Sequence, residues 1–283
     1  MEIKKIGVVG CGQMGAGIVE VAAKAGFFVT VREINEDLLA RGLERIKKSM
    51  ARAVSRGKLT EGEMEAAMGR IRGTVDMAEL ADSDLVIEAA IENMNLKKEI
   101  FQSLDELCDP ETIFATNTSS LSVTEIAAVT NRRGKVLGIH FFNPVPVMKL
   151  VEIVSTILTD PETIAAARGV VEKMGKTPIM ANDTPGFIVN RLLVPYIIDA
   201  IRAYEQGLGT KEDIDTGMKL GAGHPMGPLE LADYIGLDTM LYVAEIMYQE
   251  FGDQRFAPPP LLKRMVAAGH LGRKSGKGFY DYK

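Results

Sequence analysis

The chain has 283 residues, 25% charged and 46% hydrophobic, an ordinary balance for a soluble globular protein with one large domain or two smaller ones. Its formal net charge of -5 offers no general attraction to nucleic acid or to an anionic membrane, although a local basic patch would still suit a phosphorylated ligand. The two cysteines, Cys11 and Cys108, argue against a disulfide framework and show no metal-ligand spacing, so no metal is expected. No run is long enough to span a bilayer. The opening MEIKKIGVVGCG leads directly into a strand and a glycine turn without the apolar stretch of a signal peptide, and a reducing, cytoplasmic setting is expected.

Residues 3–9 form an apolar run suited to a buried parallel strand. After a glycine turn, MGAGIVEVAAKAG places small and apolar residues at helical spacing and stops at Gly26. FFVTV is a second strand, and the charged stretch 36–70 is helical. SDLVIEAA is a strand, LKKEIFQSLDELC an amphipathic helix, and TIFATNTSS a strand running into a polar turn. KVLGIHFF and MKLVEIV are further strands. This alternation predicts a doubly wound, mostly parallel α/β sheet. The character changes near Asn182. TPGFIVNRLLVPYIIDAIRAYEQG predicts a long helix with Pro185 near its first turn, and helical patterns continue to about Gly269. An α/β domain over 1–182 and an all-helical domain over 183–283 are therefore expected, with no internal repeat.

GVVGCGQMGAG holds Gly10, Gly12 and Gly15 in G-x-G-x-x-G spacing, with Gln13 and Met14 inside the motif. Gly10 permits the tight turn, Gly12 lets the backbone approach a pyrophosphate, and Gly15 lets the helix pack close to the strand. The helix N-terminus offers N–H groups to phosphates. The motif follows a predicted strand and opens a predicted helix, which is the context a dinucleotide site requires. Glu33 ends the next strand, eighteen residues after Gly15, where a carboxylate accepts from ribose hydroxyls and repels a 2′-phosphate. That favours NAD. Arg32 beside it could pair with a 2′-phosphate and leaves NADP open, unless it is a solvated surface charge.

His140, one of three histidines, lies at or near a strand end where ligands bind in such sheets, and Asn117, Thr118 and Ser119 lie just past another. Histidine suits a base that takes a hydroxyl proton as hydride leaves the same carbon, and Glu152 in the following strand could fix its tautomer. The alternative is a core histidine bonded to a backbone carbonyl. Cys11 is expected to be a small packing residue, His224 a structural one at a helix–helix turn, and His270 has no evident role.

The segments GVVGCGQMGAGI, DLVIEAAIEN, ATNTSSLSVTEIA, GIHFFNPVPVMKLVEIV, DTPGFIVNRLL, GHPMGPLELADYIGLD and GRKSGKGFYDY together resemble the 3-hydroxyacyl-CoA dehydrogenase family. Within it they are similar to the short bacterial 3-hydroxybutyryl-CoA dehydrogenases, over essentially the whole chain. The resemblance implies a Rossmann-type domain followed by a helical domain for substrate and dimerisation. It implies interconversion of (S)-3-hydroxyacyl-CoA and 3-oxoacyl-CoA in a homodimer, and the compact chain favours a short acyl group, C4 first. His140 would be the acid/base, Glu152 its orienting partner, and Ser119 a donor to the 3-oxygen. Asn190 would complete the site. Glu33, Glu92, Lys97, Asn143 and Lys274 would contact the cofactor. Lys48, Arg52, Arg56 and Lys58 are candidates for CoA, or an ordinary solvated helical face. One departure is the longer Glu33 where the family often has Asp. Two rival functions stay open: a sugar-acid dehydrogenase of the gulonate type, and a non-catalytic NAD-binding protein.

Overall fold

The structure, a computed structural model, describes residues 2–282. The chain divides into two compact units, Met1–Asp183 and Thr184–Lys283. In the first, strands and helices follow in the order β1 (Lys5–Val9), α1 (Gln13–Lys24), β2 (Phe28–Arg32), α2 (Glu36–Ser55), α3 (Glu61–Met68), β3 (Ile71–Thr74), β4 (Leu85–Glu88), α4 (Met94–Leu107), β5 (Ile113–Thr116), α5 (Val123–Ala128), β6 (Val136–Phe141), β7 (Leu150–Ser155), α6 (Pro161–Lys173) and β8 (Thr177–Asn182). The eight strands make one sheet in the order β3-β2-β1-β4-β5-β6-β7-β8. The β6–β7 pair is antiparallel and every other pair is parallel, as the mostly parallel, doubly wound expectation required.

Successive residues of the central strands feed two cores. Val8, Leu85, Ile87, Ile113 and Ala115 pack on one face with α1, α2 and α6 residues such as Ile18, Ile46 and Val170. Val9, Val86 and Phe114 pack on the other with Ile100, Phe101 and Leu104 of α4. A side-chain period of two makes this two-sided burial possible only for near-continuous apolar strands, which is what the sequence holds. Polar residues mark the helix starts. The side chains of Asn35 and Asn93 accept from Leu38 N and Leu96 N, capping α2 and α4. Thr60 and Glu63 form a capping box that opens α3, so the helical stretch predicted over 36–70 is two helices and the short strand β3 follows them.

The second unit holds α7 (Val189–Glu205), α8 (Lys211–Thr216), a π-helical turn (Gly217–Gly221), α9 (Pro228–Ile235), α10 (Leu237–Phe251) and α11 (Pro260–Ala267). In α7, Val194, Ile197, Ile198 and Ile201 are buried at helical spacing against Leu229, Met240, Ala244 and Met247. The helix begins at Val189 and not beside Pro185. Gly186 and Phe187 carry φ of 80° and 49°, a left-handed turn that no helix can run through. Pro195 lies inside α7 instead. Asp215 ties α8 to α9 and to the C-terminal segment: it accepts from Leu229 N (2.8 Å), Glu230 N (2.9 Å) and Tyr280 Oη (2.8 Å). Asp233 holds the same segment through Phe279 N, Tyr280 N and Tyr282 Oη, while burial pushes its carboxyl above the ordinary value. No helix of the described residues is long and apolar enough to cross a membrane.

Candidate active site

The C-terminal ends of β1, β2, β4, β5 and β6 line one edge of the sheet, since these strands are mutually parallel. The glycine turn leaves β1 there. Gly10 has φ 97°, and a Cβ on it would lie 2.7 Å from the Ala89 carbonyl oxygen. A Cβ on Gly15 would collide with the Gly10 carbonyl oxygen, so α1 packs against its own turn only because Gly15 has none. Gly12, the N-cap of α1, makes no side-chain cap hydrogen bond, and a Cβ there would meet no atom within 4 Å. The turn is thus closed on two sides by contacts a side chain would break and open at the helix N-terminus, a shape that fits the pyrophosphate of a dinucleotide.

Glu33, just past β2, accepts from Cys11 N at 2.7 Å through Oε1 and from Ile34 N at 2.9 Å through Oε2. Each carboxylate oxygen keeps a second acceptor direction, so ribose hydroxyls can still be bound. Two contacts were not foreseeable in the sequence: Glu33 braces the glycine turn itself, and Arg45 of α2 donates to the Cys11 carbonyl at 3.2 Å. Arg32 turns its Nε to the Val75 carbonyl oxygen at 3.3 Å. Gln13 Nε2 donates to Asn143 Oδ1 at 2.9 Å, linking the start of α1 to the segment after β6. Met14 packs half-buried against the sheet core. Cys11 is buried, and burial pushes its thiol up to about 12.

His140 and Glu152 are directly paired residues of the antiparallel β6–β7 ladder. Paired residues project to the same face, and His140 Nδ1 lies 2.6 Å from Glu152 Oε2. Glu152 is fully buried and His140 is 5% exposed, with the Phe142 ring against the imidazole at 4.6 Å between centroids. Asn117, at the end of β5, accepts from Phe141 N at 2.9 Å, and so joins the polar turn 117–120 to the strand that carries His140. Within that turn Ser119 is half-buried between the buried Thr118 and Ser120. Glu92 gathers the turn: Oε1 accepts from Ser119 N (3.0 Å), from Thr118 Oγ1 in a short bond, and from Ser120 Oγ (3.4 Å). Lys97 is 1% exposed, and its ammonium bridges Glu88 (2.7 Å) and Glu92 (3.3 Å). Glu88 in this network was not singled out from the sequence, because an acid at the end of an apolar strand carries no pattern of its own.

A cleft of about 610 Å³ runs between α1, α2 and the 143–146 segment. Lys48 and Arg52 line it with Arg41, Arg45 and Ser49. Arg56, the C-cap of α2, and Lys58 in the turn after it lie beyond those lining residues. In the second unit, Asn190 sits half-buried in the first turn of α7. Lys274 is exposed and pairs with Asp238 at 2.5 Å. His224 Nδ1 meets Tyr196 Oη at 2.9 Å, which suits the structural part expected of it.

Residues 5–184 match the family domain described as 3-hydroxyacyl-CoA dehydrogenase, NAD binding domain, and residues 186–282 match 3-hydroxyacyl-CoA dehydrogenase, C-terminal domain. The chain is 51% identical over 282 residues to a protein of Bacillus subtilis named probable 3-hydroxybutyryl-CoA dehydrogenase, covering 100% of this chain and 98% of that one. It is similar to the crystal structure of FadB2 from Mycobacterium tuberculosis, with a TM-score of 0.98, 49% identity and full coverage of both chains. The structure of (S)-3-hydroxybutyryl-CoA dehydrogenase PaaH1 from Ralstonia eutropha gives a TM-score of 0.96 at 45% identity, again with full coverage of both. With an NAD-binding glycine turn, a paired histidine and glutamate at the strand ends, and this likeness along its whole length, the chain belongs to the 3-hydroxyacyl-CoA dehydrogenase family.

Proposed function

We propose that the protein is an NAD-dependent oxidoreductase interconverting (S)-3-hydroxybutyryl-CoA and acetoacetyl-CoA, with His140 as the general acid/base. The observation that carries this reading is the 2.6 Å contact of His140 Nδ1 with the buried Glu152. An ionised carboxylate only accepts, so Nδ1 holds the proton and Nε2 is the nitrogen that exchanges one with the substrate. When bound, NAD supplies the hydride acceptor or donor. In oxidation, Nε2 takes the 3-hydroxyl proton as the C3–H bond breaks and the carbonyl forms, and Glu152 stabilises the imidazolium. In reduction the same nitrogen returns the proton to the 3-oxygen. Ser119 donates to that oxygen as charge develops on it.

Glu92 holds the Ser119 turn and Lys97 acts through Glu92, its ammonium being buried. The cations along the α2 cleft, Lys48 and Arg52 first, suit the phosphates of CoA, and Arg56 and Lys58 extend the same charge past the helix end. The roles of Asn190 toward substrate and of Lys274 toward cofactor rest on the family pattern. Exposed Leu192 of α7 and Leu220 of the π-helical turn support a homodimer formed through the helical unit. Two buried free thiols suit a reducing cytoplasm.

The test is oxidation of NADH and of NADPH with acetoacetyl-CoA, compared with free acetoacetate and a free sugar acid. Turnover with acetoacetyl-CoA and NADH is expected. Turnover only with a free acid would overturn the acyl-CoA assignment, and none with any substrate would leave a non-catalytic NAD-binding protein.

A further inference from the structure

The last residue of β4 has no part in the mechanism above, yet it is a fully buried acid bonded through both carboxylate oxygens. Glu88 is 0% exposed. Its Oε1 accepts from Ala90 N and from Lys97 Nζ, each at 2.7 Å, and its Oε2 accepts from Lys97 Nζ at 2.9 Å and Thr116 Oγ1 at 2.7 Å. Its own carbonyl oxygen accepts from Asn117 N at 2.8 Å. Two routes run from this carboxylate to the turn that carries Ser119. Along one, Thr116 Oγ1 donates to Glu88 and accepts from Thr118 N at 3.2 Å. Along the other, Glu88 holds Lys97, the ammonium holds Glu92 Oε2, and Glu92 Oε1 faces Ser119 N, Thr118 Oγ1 and Ser120 Oγ.

Burying the Glu88 carboxylate with the Lys97 ammonium, beside a half-buried Glu92, is costly, and apolar residues of the same volume would pack such a core as well or better. What the charged cluster supplies is direction. With Lys97 seated on Glu88, one oxygen of Glu92 is drawn inward and the other is left to meet the turn. We propose that Glu88 is a positioning residue for the reaction: through Thr116 and through the Lys97–Glu92 pair it fixes the Thr118–Ser120 turn, and with it the Ser119 hydroxyl. This rests on the reading of Ser119 as a donor to the substrate's 3-oxygen. Removing the Glu88 charge leaves the Lys97 ammonium to Glu92, rotates Glu92 inward, and loosens the backbone it holds.

The test compares the wild type with Glu88→Gln, which keeps the shape of the side chain, and with Thr116→Val, which leaves all three charges and cuts one route. Two readouts are taken. The first is amide hydrogen exchange at Thr118 and Ser119 in the cofactor-free protein. It is expected to quicken at least about tenfold in Glu88→Gln while the core strands β1 and β5 keep their protection. The second is steady-state kinetics with acetoacetyl-CoA and NADH, where kcat is expected to fall about 10²-fold with KM within about threefold, the mark of a misplaced group and not of lost binding. For Thr116→Val, smaller changes in the same direction are expected. Unchanged exchange in both variants would overturn the positioning of the turn. Faster exchange with kcat within twofold of wild type would overturn its bearing on the reaction. Absence of turnover in the wild type itself would remove the 3-oxoacyl reduction, and the exchange measurement would then still decide whether Glu88 holds the turn.

Discussion

His140 and Glu152 stand opposite one another across the antiparallel β6–β7 ladder, and their side chains meet at 2.6 Å in the interior of the sheet edge. Because side chains alternate with a period of two, a slip of one residue would send Glu152 to the other face and leave the imidazole without its carboxylate. On the proposed mechanism, register is therefore a functional quantity here as well as a structural one.

Removal of the proposed base gives the first prediction. His140→Ala is expected to lower kcat by about 10²–10⁴-fold while NADH binding, followed by its fluorescence, is retained. Glu152→Gln keeps a hydrogen-bond partner for Nδ1 but not the charge that stabilises the imidazolium, so its kcat is expected to fall as well. A His140→Ala enzyme with wild-type turnover would show that the proton moves elsewhere.

Ser119→Ala tests the proposed donor to the 3-oxygen. A single well-placed donor at a developing oxyanion contributes about 3 kcal/mol, so kcat is expected to fall about 10²-fold with little change in KM. A rise in KM at constant kcat would instead assign Ser119 to ground-state binding.

Glu33→Gln retains an acceptor for the Cys11 N–H and removes the charge. Charge-assisted hydrogen bonds are worth roughly 1.5–3 kcal/mol, so the ratio of NADPH to NADH dissociation constants is expected to shrink at least about tenfold. Fluorescence titration with both cofactors measures it. An unchanged ratio would mean that discrimination lies outside this carboxylate.

The two thiols give a pH prediction. Burial raises Cys11 to about 12 and Cys108 to about 11, against an ordinary 9.0. The native protein at pH 9 then holds roughly one Cys11 in a thousand and one Cys108 in a hundred as thiolate, and iodoacetamide should label neither until the chain is unfolded in urea. The folded state keeps these protons longer than the unfolded state does. Their contribution to stability is therefore fully present below about pH 9 and is lost as pH rises toward 11 and 12. Rapid labelling of Cys11 in the folded protein at pH 8 would contradict the burial of its side chain.

What the sequence determined by itself is local. The Gly10, Gly12 and Gly15 spacing and the apolar strands each express a backbone or burial requirement within a short stretch, and the turn and the strands reappear in the fold with slightly shifted bounds. The family pattern named His140 and Glu152 as a pair, but only the β6–β7 register shows how residues twelve apart come into contact. The start of α7 was misplaced because the positive φ of Phe187 comes from its tertiary setting and not from its own preference. Strand β8 was missed because TPIMAN is short, half-exposed at the sheet edge, and alternates weakly. The burial of Lys97 and the part of Glu88 were decided last. A charge can enter the interior only where the fold has already assembled its partners, and those partners come from β4, α4, β5 and the turns between them.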